Sequence, residues 1–161
     1  MNRLLACAAG LLLSALFLST AHAQPLEVAD AWVRQGPPTA QVLAAYMKLK
    51  NPGAQAVVIS GASSPQFERV EMHRTAVVDG IARMQPQEHL TIPPAGEAVL
   101  QPGGLHLMLI NAKQPLAEGA KVRIDLRLDA ATHMAIEVPV RPDAKMTDGK
   151  EGNRDHGQHQ H

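Results

Sequence analysis

The stretch KVRIDLRL, residues 121–128, alternates strictly between charged and apolar side chains. In a β-strand successive side chains point to opposite faces, so the apolar residues share one face of this stretch: Val122, Ile124, Leu126 and Leu128. A period of two is typical of a strand with one face buried and the other in water. This stretch therefore favours a sheet that packs one side on a hydrophobic core.

Further β-prone runs flank this strand, separated by turn residues such as Asn51-Pro52-Gly53 and Pro102-Gly103-Gly104. These runs cover residues 26–34, 42–51, 56–63, 67–75, 81–85, 98–102, 105–111 and 133–140. No amphipathic helix is evident. Roughly eight or nine short strands at this spacing are typical of a β-sandwich or barrel. We predict an all-β domain, a β-sandwich, over residues 24–142.

The two ends of the chain differ from this pattern. Residues 1–23 have a basic residue at Arg3, a short apolar run and the small-x-small sequence Ala21-His22-Ala23, which is typical of a secretory signal peptide. We expect cleavage after Ala23 and a periplasmic protein. Cleavage removes Cys7, the only cysteine, so the exported chain would have no thiol. Residues 143–161 are polar and aperiodic, and we predict a flexible tail.

Asp79-Gly80 lies between two β-prone runs, which is a strong signal for a β-hairpin with a two-residue loop. Counting outward from that loop places Thr75 opposite Met84. Directly opposed residues share a face of the sheet, and His73 shares its face with Thr75. The hairpin therefore predicts that His73 and Met84 are diagonal neighbours on one surface. A three-residue loop would spoil this register.

GGLHLMLI, residues 103–110, contains a second pair of the same kind, because His106 and Met108 are two residues apart in a predicted strand. Each of these residues alone has an ordinary explanation, since methionine readily fills cores and strand histidines form hydrogen bonds. Two histidines and two methionines together indicate a metal site. Thioethers are soft, neutral ligands that select Cu(I).

The spacing His73, ten residues, Met84, twenty-one residues, His106-x-Met108 resembles that of the periplasmic copper chaperone family called PCu(A)C. The flanking residues resemble it too: DAWVR (30–34), AAYMKLKN (44–51), EMHRT (71–75), DGIARM (79–84), IPPAGEAVLQPGGLHLML (92–109) and VPV (138–140).

This resemblance implies a cupredoxin-like β-sandwich that binds Cu(I) at an exposed site. It implies that the ligands are His73, Met84, His106 and Met108. It also implies delivery of copper to the dinuclear copper site of cytochrome c oxidase, so that the partner would be oxidase subunit II. Met72 is not carried over as a ligand, and its face of the strand predicts core packing.

The remaining residues suggest fewer functions. The chain has 15 basic and 15 acidic residues, which does not indicate a nucleic-acid-binding protein. It lacks a G-x-S-x-G elbow, a metalloprotease helix motif and a phosphate-binding glycine loop, so we expect no enzyme. We expect a monomer with no membrane span after cleavage. His89 is predicted to be a solvated loop residue, and His133-Met134 point to opposite faces. Core packing is predicted for the aromatic residues Trp32, Tyr46 and Phe67.

The tail contains His156, His159 and His161 within its last six residues. These histidines are either an incidental polar end or a second metal site, and clustered imidazoles suit Cu(II), zinc or nickel better than Cu(I). Two other functions remain open for the whole chain. One is copper sequestration for tolerance, which needs the same site chemistry. The other is a metal-free β-sandwich for adhesion or assembly, which the four-ligand spacing disfavours.

Overall fold

The computed structural model of the protein describes residues 26–128 and 132–142, so the predicted signal peptide and the predicted tail lie outside the described residues. Within these ranges the chain forms strands and turns, and no helix long and apolar enough to cross a membrane was found there. The eleven strands are β1 Glu27–Arg34, β2 Val42–Lys50, β3 Val57–Ile59, β4 Gly61–Ser63, β5 Phe67–Val78, β6 Ile81–Pro86, β7 Leu90–Ile92, β8 Glu97–Leu100, β9 Leu105–Ala112, β10 Lys121–Arg127 and β11 His133–Arg141.

Nine of these strands form one sheet in the order β4-β10-β11-β1-β2-β8-β9-β5-β6. Strand β4 pairs with β10 and also with β5, and β2 pairs directly with β9. The β4–β5 pairing closes the sheet on itself, which produces a barrel-like sandwich and confirms the predicted all-β fold. Strands β3 and β7 form a separate two-stranded sheet.

The structure has two more strands than the nine runs found in the sequence. The run 56–63 is divided at Ser60, because β3 pairs with β7 whereas β4 pairs with β10 and β5. The second addition is β7, whose three residues follow the predicted loop residue His89. Such short strands are defined by their partners and carry little periodicity of their own.

The core lies inside the sandwich and is formed by the apolar faces of the strands. In β10, Val122, Ile124 and Leu126 are buried while Arg123 and Arg127 are exposed, as the alternation predicts. The other large, fully buried side chains come from strands of both sheets: Val33, Met47, Leu49, Ile59, Ile92, Leu107, Leu109, Val138 and Val140.

Met72 and Phe67 belong to this core, as predicted for Met72 from its strand face and for Phe67 from its aromatic side chain. Trp32 and Tyr46 are buried as predicted, but they do not pack in this core. Each alternates with a core residue in its strand, Trp32 with Val33 and Tyr46 with Ala45. They therefore lie on the outer face of the sheet.

Candidate metal centre

The β5–β6 hairpin has the register predicted from Asp79-Gly80. Asp79 has φ of 53° and Gly80 has φ of 76°, and two successive positive φ angles are the signature of a type I′ turn. Thr75 pairs with Met84, so the two side chains share a face. Met84 is 53% exposed. The hairpin thus holds a largely solvated thioether on the outer face of the sheet.

Strand β9 places the other residues beside the hairpin, because it pairs with β5 in an antiparallel register. His106 lies directly opposite His73, and Met108 lies opposite Glu71. The centroids of the two imidazole rings are 6.2 Å apart. Since Glu71, His73 and Thr75 alternate along β5, all of these side chains lie on one face with Met84. The four residues predicted as ligands therefore share one surface of three adjacent strands.

His106 is the most enclosed of the four, with 6% of its surface exposed. Its Nδ1 lies 3.0 Å from the Gly104 carbonyl oxygen. A carbonyl only accepts hydrogen bonds, so Nδ1 carries the proton and Nε2 keeps its lone pair in the neutral ring.

A tight turn orients the carbonyl that His106 contacts. The Gly104 amide donates to the Gln101 carbonyl over 3.0 Å, and Gly103 has φ of 76°. With Pro102 in the second position, these features are those of a type II turn, which requires positive φ at its third residue. The Gly104 carbonyl also accepts a hydrogen bond of 3.0 Å from the Thr75 amide in β5. The turn is thereby anchored to the strand that carries His73.

His73 is held through its other nitrogen. Its Nε2 lies 2.9 Å from a carboxylate oxygen of Glu71, and the second carboxylate oxygen lies 3.3 Å from Nε of Arg69. The Nδ1 atom of His73 is buried and has no hydrogen-bond partner among the described residues. Buried polar atoms are normally paired, so an unpaired imidazole nitrogen at this position fits the role of a metal ligand.

Aromatic rings form one side of the centre. The ring centroids of Tyr46 and Trp32 are 4.8 Å apart, and the Tyr46 ring lies 6.5 Å from the His106 imidazole. Apolar surroundings of this kind limit the access of water to a metal site. Tyr46 therefore borders the candidate centre, and Trp32 packs against Tyr46.

A groove of about 510 Å³ opens next to His106. It is bordered by three of the predicted ligands and by the loop between β1 and β2: Arg34, Gln35, Gly36, Pro37, Ala40, Val42, Leu43, Ala44, Tyr46, Thr75, Met84, Gly103, His106 and Met108. A partner side chain or a small ligand could thus reach the sulfur atoms without any opening of the core.

The donor set on this surface consists of two imidazoles and two thioethers, which suits Cu(I). No group of three or more His, Cys, Asp or Glu side chains within residues 26–128 and 132–142 is placed to hold a metal ion by itself. His89 and His133 are exposed and belong to other parts of the fold. His156, His159 and His161 lie outside the described residues.

Two contributors to the centre were not predicted from the sequence. Glu71 could have been found, because Arg69, Glu71 and His73 alternate along one strand face and a carboxylate beside a histidine is a common arrangement at metal sites. Tyr46 carried no such signal, since its approach to His106 depends on the pairing of β2 with β9.

Comparisons with known proteins agree with this fold. The family model described as "Putative lipoprotein LpqE-like" matches residues 26–140. The "Putative lipoprotein Lxx21020" of Leifsonia xyli subsp. xyli is 31% identical over 121 residues, which cover 74% of this chain and 72% of that protein.

Solved structures show the same similarity. The solution structure of Cu(I)-DR1885 from Deinococcus radiodurans is 32% identical with a TM-score of 0.61, covering 78% of this chain and 84% of that one. The copper-bound PCuAC domain from PmoF2 has a TM-score of 0.62 at 18% identity, covering 75% of this chain and 96% of that domain, and so supports the fold. The resemblance to PCu(A)C domains found in the sequence is confirmed.

Proposed function

The chain belongs to the LpqE-like family, and from that premise we propose that it is an exported copper chaperone. It binds one Cu(I) ion through His73, Met84, His106 and Met108. The observation that carries this proposal is the direct opposition of His73 and His106 on β5 and β9, with both thioethers on the same face. The Cu(I)-bound relative DR1885 supports the choice of metal.

The chemistry of the donors agrees with a transient cargo. All four ligands are neutral, so the bound ion keeps its positive charge, and an uncompensated charge is costly to bury. Met84 is about half exposed and borders an open groove, which keeps one side of the ion near water. A site built in this way suits reversible holding of copper, so the proposed role is that of a carrier and not of an enzyme.

Replacement of Met84 and Met108 together by leucine tests the ligand assignment. Leucine keeps much of the side-chain volume and removes both sulfur atoms, so the fold should persist while Cu(I) affinity collapses. Met72→Leu is the matched control, because Met72 belongs to the core and should leave Cu(I) binding unchanged. Cu(I) binding by the double variant as tight as that of the parent would refute the assignment. A parent protein that takes up no copper would instead favour a metal-free adhesion or assembly module.

The receiving partner proposed here is subunit II of cytochrome c oxidase, with its dinuclear copper site. The protein would act as a monomer in the periplasm after cleavage of its signal peptide behind Ala23. The family and one relative carry lipoprotein names, which supports export. Incubation of the Cu(I)-loaded protein with the isolated apo copper domain of subunit II, under reducing conditions, tests this role. Copper transfer supports delivery, whereas retention of copper would indicate sequestration for tolerance.

The predicted tail, residues 143–161, is proposed to provide a second site for Cu(II) through His156, His159 and His161. A tethered capture site would raise the local copper concentration near the Cu(I) site, to about millimolar for a short flexible linker. Titration of Cu(II) into the full-length protein and into a chain truncated after Pro142 tests this idea. The truncated chain should lose one Cu(II) equivalent and keep its Cu(I) affinity. Equal stoichiometry in both chains would reduce the tail to an incidental polar end.

A further inference from the structure

We propose that the two histidines bind copper through opposite ring nitrogens, Nδ1 of His73 and Nε2 of His106, and that Glu71 is the positioning residue that sets this choice at His73. The inference rests on the proposed function, since it concerns the same Cu(I) site. It adds the ligating atoms and a residue outside the ligand set.

The proton of His73 is located by its neighbour. Nε2 of His73 lies 2.9 Å from Glu71 Oε2, and an ionised carboxylate only accepts hydrogen bonds. Nε2 must therefore donate, which leaves Nδ1 with the lone pair in the neutral ring. This Nδ1 is the buried atom without a hydrogen-bond partner among the described residues. A metal ion at Nδ1 would remove the free-energy cost of that unpaired atom.

His106 has the opposite tautomer for an equally local reason. Its Nδ1 donates to the Gly104 carbonyl two residues earlier in the chain, so its lone pair is on Nε2. The two rings have centroids 6.2 Å apart and are inclined by 39°. Zinc–nitrogen bonds to histidine are about 2.0–2.1 Å long, and metal–nitrogen bonds of similar length fit two rings at this separation around one ion.

Glu71 is itself held in place by a second contact. Its other carboxylate oxygen lies 3.3 Å from Nε of Arg69, which precedes it by two residues on the same strand face. Metal-binding histidines commonly donate their remaining N–H to a carboxylate or a carbonyl, and this partner fixes the tautomer and the ring orientation. The site contains one example of each kind, the Glu71 carboxylate at His73 and the Gly104 carbonyl at His106. Because Cu(I) prefers imidazole and thioether, Glu71 acts through His73 and does not contact the ion.

Imidazole nitrogens can be observed directly in the whole, metal-free protein. The protein labelled with ¹⁵N histidine would be studied by two-bond ¹H–¹⁵N correlation NMR at about pH 8, where free imidazole is neutral. We expect a proton on Nε2 of His73 and on Nδ1 of His106. Addition of Cu(I) should then shift the resonances of His73 Nδ1 and His106 Nε2 most strongly. A proton on Nδ1 of His73 in the metal-free protein would overturn the inference, whatever the copper affinity.

Variants at Glu71 test the positioning role. Glu71→Ala removes the acceptor, so His73 should populate both tautomers and Cu(I) affinity should fall about 10–100-fold. Glu71→Gln keeps an acceptor oxygen and should preserve the tautomer and most of the affinity. Glu68→Ala is the matched control, because Glu68 is an exposed carboxylate of the same strand that accepts a hydrogen bond from Asn111.

The outcomes separate the two proposals. Unchanged tautomer and unchanged Cu(I) affinity in Glu71→Ala would overturn the positioning role. Cu(I) affinity could also fall equally in Glu71→Ala and Glu71→Gln while His73 and His106 each keep the wild-type tautomer. That result would overturn the positioning role and would make Glu71 a direct ligand. A wild-type protein with the expected tautomers that binds no Cu(I) would refute the proposed function.

Discussion

Met72 and Met84 lie on neighbouring strands of one hairpin but should respond to truncation in opposite ways. Met72 is 6% exposed, belongs to the core and pairs with Leu107 of β9. Met84 is 53% exposed and lies on the outer face of the sheet. We predict that Met72→Ala lowers the free energy of unfolding and leaves Cu(I) affinity unchanged. Met84→Ala should instead lower Cu(I) affinity and change the free energy of unfolding little.

The size of each effect follows from burial. Truncation of a buried methionine to alanine costs about 2–5 kcal/mol, because buried apolar surface is lost and a cavity remains. Full burial of a methionine side chain contributes about 1.5–3 kcal/mol. Since roughly half of Met84 is already in water, its truncation should cost about 1 kcal/mol or less.

Urea unfolding of the metal-free proteins would measure stability, and competition with a chromophoric Cu(I) chelator would measure affinity. The measurements must be made on variants that remain folded in the absence of denaturant. An unfolding cost for Met84→Ala equal to that for Met72→Ala would show that Met84 is a packing residue. Loss of Cu(I) affinity in a folded Met72→Ala protein would show that the metal site extends through the sheet.

Three further predictions concern the scaffold. Gly103 has φ of 76°, which strains a residue with a side chain, although an added Cβ would meet no atom within 4 Å. Gly103→Ala should therefore lower the free energy of unfolding by about 1–2 kcal/mol, as measured by urea unfolding. Gly104→Ala is the low-cost control in the same assay. Asn51→Ala should cost about 3 kcal/mol in the same assay without changing Cu(I) affinity, because the two N–H groups of the buried amide are shared among three carbonyl oxygens and its oxygen accepts from the Gly53 amide. The hydrogen bond and charge of Lys48 lower the pKa of Asp30 below its ordinary value of 3.8, so this pair stabilises the fold above about pH 4 and loses that effect as Asp30 is protonated. Unfolding of Asp30→Asn followed against pH should show a small deficit at neutral pH that vanishes in acid, and a constant deficit would contradict the assignment.

The part of the site that could be predicted is the β5–β6 hairpin, whose residues lie close together in the sequence. The loop Asp79-Gly80 has few conformations that match the twist of two strands, so it sets the register of the residues around it. That register placed Met84 opposite Thr75 and diagonal to His73, as the structure has it. The side of β5 on which Met72 lies was predictable for the same reason, since alternation is a local property.

The pairing of distant strands could not be derived in this way. His73 and His106 are directly opposed because β5 and β9 are neighbours, although β6, β7 and β8 lie between them in the chain. Hydrophobic alternation fixes which face a residue takes but leaves open which strand lies beside it. The same limit explains the error at Tyr46, because burial on the outer face of a closed sheet has the same apolar signal as burial in the core.

The position of the ligands in the sheet bears on how copper would leave under the proposed function. Strand β9 pairs with β5 on one side and with β2 and β8 on the other, so His106 and Met108 are held by strands that are themselves anchored. Strand β6 is at the edge of the sheet and pairs with β5 within the described residues. Edge strands separate from a sheet more readily than central ones, because fewer backbone hydrogen bonds must break. Under the proposed function, Met84 would therefore be the ligand that an incoming partner displaces first, from the groove side, while the two opposed imidazoles would keep the ion in place.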